Sequence, residues 1–269
     1  MITFSKMHGL GNDYVFVDCT NGKNVINNPS RFSQIISNRN FGIGSDGLIL
    51  IENSNVADFK MRIFNSDGSE AEMCGNGIRC VGKYIFDKNL SHSTNLKIET
   101  LAGIKDLKLH VKNNLVNFIQ VEIGKAEILE SINLDILDKS FNIIPVYIGN
   151  PHAVIFLNSI NDIKFEIYAP LIENHKFFKN KTNVEFAQVI NQHLIKVLVW
   201  ERGSGKTLAC GTGASAVSAA ATFRKLSSSS NIIRLPGGTL QTYVDNSLNV
   251  SISGPASLVY DGKYYGLEN

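Results

Sequence analysis

The sequence of 269 residues is short of several features, and each shortage removes a class of function. Its four cysteines (Cys19, Cys74, Cys80 and Cys210) are too few and too scattered to staple a secreted domain, and no two have C-x-x-C spacing. Cys74 and Cys80 sit on one expected helix but point in different directions, and His92, His110, His175 and His193 fall in no ligand spacing, so no metal is expected. Net charge is only +2 without a long basic run, which argues against a nucleic-acid partner. The longest apolar stretches, such as 197–200, are strand-sized, so no membrane association is expected. Residues 1–11 lack the basic region and apolar core of a secretory signal, and cytoplasmic residence with free thiols is the expectation. Nucleotide signatures are missing too. Residues 42–47 are glycine-rich but no helix follows them, and Gly205-Lys206-Thr207 lacks the upstream glycine of a phosphate loop.

What is present is a repeat. Cys74-Gly75-Asn76-Gly77 recurs as Cys210-Gly211-Thr212-Gly213, about half a chain length later. Each copy follows a polar, glycine-containing stretch and precedes a helix-compatible run. A second echo has nearly the same offset: Gly11-Asn12 with Tyr14-Val15-Phe16 matches Gly149-Asn150 with His152-Ala153-Val154. Two echoes at one offset indicate two homologous halves, each carrying one cysteine.

Apolar residues make up 43% and charged residues 19%, ordinary for a globular chain of one large or two modest domains. Apolar periodicity predicts helices over 29–38, 78–88 and 213–225. Strands are expected over 14–17, 48–51, 59–64, 96–100, 105–111, 115–123, 143–148, 153–157 and 194–200, with later strands around the turn at Leu235-Pro236-Gly237-Gly238. Strands outnumber helices. The class is therefore α+β: two pseudo-symmetric domains, each a mostly antiparallel set of strands wrapped around a central helix, with the active site in the cleft between them. The halves are expected over 1–116, to which 257–269 returns, and over 117–256.

A cysteine at a helix start meets amide N–H groups that have no intrahelical partner. Those donors and the helix dipole are expected to lower its pKa from about 8.5 toward neutrality. Gly75, Gly77, Gly211 and Gly213 are expected to allow close backbone approach and unusual dihedrals, and to leave room for a carboxylate at the helix end. Two such helix starts suit a two-sided proton transfer at the carbon beside a carboxylate. One thiolate removes the proton while the other thiol delivers one from the opposite face, and no pyridoxal or other cofactor is needed.

The segments MHGLGNDYVFVD (7–18), FGIGSDGLIL (41–50), RIFNSDGSEAEMCGNGIRC (62–80), GNPHAV (149–154), TNVEF (182–186), ERGSGKTLACGTGASA (201–216) and VYDG (259–262) resemble the diaminopimelate epimerases over essentially the whole chain. The resemblance implies interconversion of LL- and meso-diaminopimelate without cofactor, in lysine and peptidoglycan precursor synthesis. It implies Cys74 and Cys210 as the acid/base pair, with His152 and Glu201 in support. Gly75, Asn76, Gly211 and Thr212 would present amides to the reacting carboxylate, and Glu201 would hold the reacting ammonium. Asn12, Asn65, Asn150, Asn183 and Arg202 complete the implied substrate set, Arg202 being suited to the distal carboxylate. A homodimer is implied around Tyr260. Two positions depart from the pattern: Gly47 stands where some members carry glutamine beside the substrate, and Lys206 where glutamate is usual, a charge reversal expected to lower the Cys210 pKa further. A proline or hydroxyproline racemase of related fold, and a redox-switched binding protein using the two cysteines, are the alternative readings.

Overall fold

Apolar runs long enough to be covered on both faces account for most of the architecture. The computed structural model describes residues 1–22 and 25–266. It divides into two units, Met1–Val121 with the segment from Gly254 onward, and Glu122–Ser253.

In the first unit, β1 (Ile2–Gly9) and β2 (Asn12–Asp18) form an antiparallel hairpin. Leu10 and Gly11, at its turn, both have positive φ, which matches the twist of the flanking strands. Helix α1 (Pro29–Ser37) has Pro29 in its first turn and is capped by Asn28, whose side chain accepts from the Arg31 N–H. Then β3 (Gly47–Glu52) lies parallel to β2, and β4 (Phe59–Asn65) runs antiparallel to β3. The short β5 (Glu70–Ala71) folds back on β4 before helix α2 (Gly75–Asp87). β6 (Asn95–Thr100) pairs parallel with β4, and β7 (Gly103–Lys112) and β8 (Leu115–Lys125) follow in antiparallel succession.

The second unit repeats this plan. β9 (Glu127–Ile128) and β10 (Ile132–Ile136) lead into β11 (Lys139–Tyr147) and β12 (Pro151–Phe156), which pair as β1 and β2 do. After helix α3 (Phe165–Glu173), β13 (Asn183–Asn191) is parallel to β12 and antiparallel to β14 (Leu194–Glu201). The short β15 (Gly205–Thr207) folds back on β14 before helix α4 (Gly211–Phe223). β16 (Ser230–Leu235) is parallel to β14, and β17 (Gly238–Val244) and β18 (Asn249–Gly254) complete the order. Back in the first unit, β19 (Ser257–Tyr264) pairs with β1, as β9 pairs with β11 in the second.

Each unit buries one helix almost all round. In α2 the residues from Gly75 to Gly82 and Ile85 are buried; in α4 all are buried except Thr212 and Thr222, which are half-buried, and Phe223, which is exposed. The second helix of each unit lies on the other face of the strands. Phe32 and Ile36 of α1 pack on Val15, Val17, Leu48 and Leu50, and Phe165, Tyr168, Ala169 and Ile172 of α3 pack on Ile143, Ala153, Ile155, Val184 and Phe186. Strands covered on both faces read as continuous apolar runs, and Leu48 to Ile51 is one.

The helix over 29–38 is present, whereas α2 and α4 start earlier than expected from the apolar run, at Gly75 and Gly211. Their glycines are helical: none of residues 75, 77, 211 and 213 has positive φ. Close approach is what requires them. A Cβ on Gly77 would stand 2.6 Å from Ile49 Cδ1, and one on Gly213 would stand 2.7 Å from Glu185 Oε1.

Candidate active site

Each repeated cysteine is the N-cap of a buried helix. Cys74 is extended (φ −136°, ψ 116°) and its sulfur accepts from the Gly77 N–H at 3.4 Å; Cys210 (φ −128°, ψ 122°) accepts from the Gly213 N–H at 3.4 Å. In each helix a first-turn amide thus donates to that helix's own cysteine sulfur, in the place where serine or aspartate usually supplies an oxygen.

In the first unit the hairpin turn delivers Asn12 to Cys74. The thiol donates to Asn12 Oδ1 at 3.4 Å, and Asn76 Nδ2 donates to the same oxygen at 3.3 Å. Asn12 is held by Asp46 Oδ2, 2.8 Å from its Nδ2. Asp46 is fixed in turn by Arg39, which also pairs with Asp13, and Asp13 pairs with the buried Lys6. Asn76 accepts from Arg79, a fully buried guanidinium that donates also to the carbonyls of Gly75 and Pro255. Asn65 ends β4 in register with Gly47 and makes its side-chain bond within its own turn, to Ser69 Oγ at 3.0 Å.

In the second unit Cys210 lies beside Glu201, at the end of β14, and Thr212, whose hydroxyl is 3.4 Å from the sulfur. His152 and Asn183 sit opposite each other on the parallel pair β12 and β13. The imidazole is fixed at both nitrogens: Nδ1 is 2.7 Å from Glu185 Oε1, and Nε2 is 2.7 Å from Asn150 Oδ1. Asn183 donates to the Pro151 carbonyl at 2.8 Å and accepts from the Arg202 backbone N–H at 2.9 Å, which leaves the exposed Arg202 guanidinium with the Asn180 carbonyl.

The expected lowering of the Cys210 pKa is not observed. Burial, then the Glu201 carboxylate, push the thiol well above its ordinary value and outweigh the Thr212 and Gly213 donors. Burial likewise raises the Glu201 carboxyl, against the opposing influence of the neighbouring Thr207 hydroxyl and Cys210 thiol. Lys206 has no part in this: it pairs with Glu166 at 2.5 Å on the surface. Cys80 is packing, with its thiol pushed up to about 12 by burial, and Cys19, pushed up to about 11 for the same first reason, is similarly unreactive.

Residues 4–129 and 144–259 match the family profile described as diaminopimelate epimerase. A diaminopimelate epimerase of Methanococcus maripaludis (strain C6) is 45% identical, with 97% of this chain and 98% of the relative covered. Another from Acetivibrio thermocellus is 44% identical, over 97% of each. The chain belongs to the diaminopimelate epimerase family. Solved structures extend the likeness in fold alone. A hydroxyproline epimerase from Agrobacterium vitis, bound to trans-4-hydroxy-L-proline, has a TM-score of 0.73 at 14% identity over 97% of this chain and 91% of that one. A phenazine biosynthesis protein of the PhzF family from Bacillus anthracis has 0.71 at 17%, over 97% and 98%.

Within this epimerase framework two side chains beside the cysteines escaped the sequence reading. Glu185 is fully buried in TNVEF, and a lone acid among Val184, Phe186 and Ala187 is its signal. Tyr14 occupies, in the repeat, the place of His152, and its hydroxyl lies within hydrogen-bonding reach of Cys74.

Proposed function

We infer that this protein interconverts LL- and meso-2,6-diaminopimelate by moving the α-proton between two cysteines, without pyridoxal. The observation that carries the reading is the duplicated N-cap: one sulfur per unit, bonded to a helix amide and flanked by groups able to hold an amino acid. One cysteine, as thiolate, takes the proton from the α-carbon; the other, as thiol, gives one to the opposite face, inverting the centre. Amides of Gly75, Asn76, Gly211 and Thr212 receive the adjacent carboxylate and stabilise the charge that develops on it. Glu201 holds the ammonium, and His152, clamped by Glu185 and Asn150, supports it. Arg202 takes the distal carboxylate, with Asn12, Asn65, Asn150 and Asn183 reading the remaining polar groups by uncharged hydrogen bonds.

The product serves lysine and peptidoglycan precursor synthesis in a reducing cytoplasm, where the thiols stay free. Among the described residues no helix is long and apolar enough to cross a membrane. The working form is a homodimer joined around Tyr260. Support for it comes from the exposed strip Leu258, Val259 and Tyr260 on β19, where Tyr260 packs edge-on against Phe4. Sedimentation of a Tyr260→Ala variant as a dimer as tight as the parent would remove that assignment.

The deciding experiment is incubation of reduced protein with LL-diaminopimelate in D₂O, no cofactor added, following deuterium at the α-carbon and stereochemistry together. Meso product carrying deuterium at one α-carbon is expected, with either Cys→Ala variant slowed about 10²-fold or more. A folded, reduced protein that exchanges nothing refutes the substrate; turnover of proline or hydroxyproline in its place selects the racemase alternative.

A further inference from the structure

The repeat matches Asn12 with Asn150, but two residues later the units differ: His152 in one, Tyr14 in the other. Tyr14 is only 6% exposed. Its partner in register on β3 is Gly47, and a Cβ on Gly47 would come within 3.0 Å of Tyr14 Cε1 and collide with the Phe64 carbonyl. The missing side chain at 47 therefore gives the phenol ring its seat. From that seat, two residues along β2 from Asn12 and on the same face of the strand, the hydroxyl lies beside Cys74, whose thiol donates to Asn12.

We propose that Tyr14 is a positioning residue for Cys74: its hydroxyl donates to the Cys74 thiolate and sets the pH at which that thiolate becomes available. The proposal rests on the acid/base reading of Cys74 given above. Its basis is the conflict among the partners of the sulfur. Asn12, locked by Asp46, presents an oxygen to Cys74, and an oxygen acceptor favours the protonated thiol. A thiolate needs donors, and the Gly77 N–H at 3.4 Å is one. The Tyr14 hydroxyl is a second, and a suitable one, because burial and the adjacent Cys74 charge raise its own pKa well above 10, so it donates without becoming a competing base. Among the titratable groups around the pair, the buried Arg79 on α2 acts in the same direction as Tyr14. Cys80 stays neutral, and Asp46 faces Tyr14 from the loop before β3. The two thiols are thus built differently: Cys74 beside a phenol donor, Cys210 beside the Glu201 carboxylate.

The test is Tyr14→Phe, which removes one oxygen and keeps the ring. Alkylation of each cysteine by iodoacetamide is followed against pH by peptide mass mapping on reduced, substrate-free protein. The Cys74 midpoint should rise by about one unit, the effect of losing one hydrogen bond to a charged sulfur. The Cys210 midpoint should stay in place, and the acid limb of kcat/KM should move with Cys74. An unmoved Cys74 midpoint overturns the proposal, as does an equal shift of both cysteines. Should the variant fold poorly, 3-fluorotyrosine introduced at position 14 makes a stronger donor of the same shape and should move the Cys74 midpoint downward; no movement, or an upward one, is again a refutation. Alkylation needs no substrate, so it reports on Tyr14 even if diaminopimelate turnover fails.

Discussion

Gly213→Ala sets two physical effects against each other. Gly213 is helical without a positive φ, so alanine should stabilise α4 by about 1 kcal/mol on intrinsic propensity. The new methyl, however, would stand 2.7 Å from Glu185 Oε1. That oxygen is not free to yield: Glu185 is fully buried and the same atom binds His152 Nδ1 at 2.7 Å. Overpacking of this kind costs about 1–3 kcal/mol, and breaking a charge-assisted hydrogen bond about 1.5–3 kcal/mol. After subtracting the propensity gain, the net is a loss of about 1.5–5 kcal/mol, or about 3–20 °C in Tm for a chain of this size. Activity should fall as well, because His152 loses the group that orients it. Thermal melts and initial rates on the purified variant measure both. Repeating the change in a Glu185→Ala background tests the cause, since without the carboxylate the alanine should be neutral or stabilising. A Gly213→Ala protein that melts above its parent would refute the claim that this glycine is there for close approach.

Two further outcomes follow from the site. Burial raises the Glu201 carboxyl above its ordinary value of 4.5, so the native state keeps that proton to higher pH than the unfolded chain does. Stability should therefore drop as pH climbs from about 4.5 through the raised native value; Glu201→Gln should remove that drop, melting higher than the parent at pH 8 but not at pH 4, while losing about 10²-fold in rate. Equal melting offsets at both pH values would contradict the assignment. For Arg202→Met, the backbone N–H that Asn183 accepts is retained, so the fold should survive while KM for diaminopimelate rises about 10- to 100-fold with kcat little changed; an unaltered KM would detach Arg202 from the distal carboxylate.

The duplication was readable because its chemistry is local: Cys-Gly-x-Gly and the Gly-Asn echo are each a few residues long, and the element order repeats around them. The helix starts were misplaced because glycine is a poor helix former, whereas Gly77 and Gly213 are kept by neighbours, Ile49 and Glu185, that are remote in sequence. Helix α3 is masked in the sequence although Phe165, Tyr168, Ala169 and Ile172 have helical spacing, because Pro170 lies inside it and its Lys164 cap makes no side-chain hydrogen bond. The raised Cys210 pKa is hidden from the sequence for a related reason. Helix position is visible in sequence, but burial and the approach of Glu201 come from the packing of β14 on its neighbours. His152 is legible through family likeness, whereas Glu185, the carboxylate that holds it, is marked only by being a lone acid among Val184, Phe186 and Ala187.

Sulfur at a helix N-cap links proton transfer to the mechanics of the helix. A thiol is a feeble acceptor for the amide that an ordinary capping oxygen would satisfy, so each helix begins under-restrained while its cysteine is protonated. When the proton leaves, the same atom becomes an anion aimed at the same N–H, and the first turn tightens without any dihedral having to change. Under the proposed two-thiol proton transfer, each turnover would loosen the start of one helix and firm the other, and the next turnover in reverse would restore them. The scaffold accepts weaker capping at rest in return for a first turn already aligned with the charge when it appears.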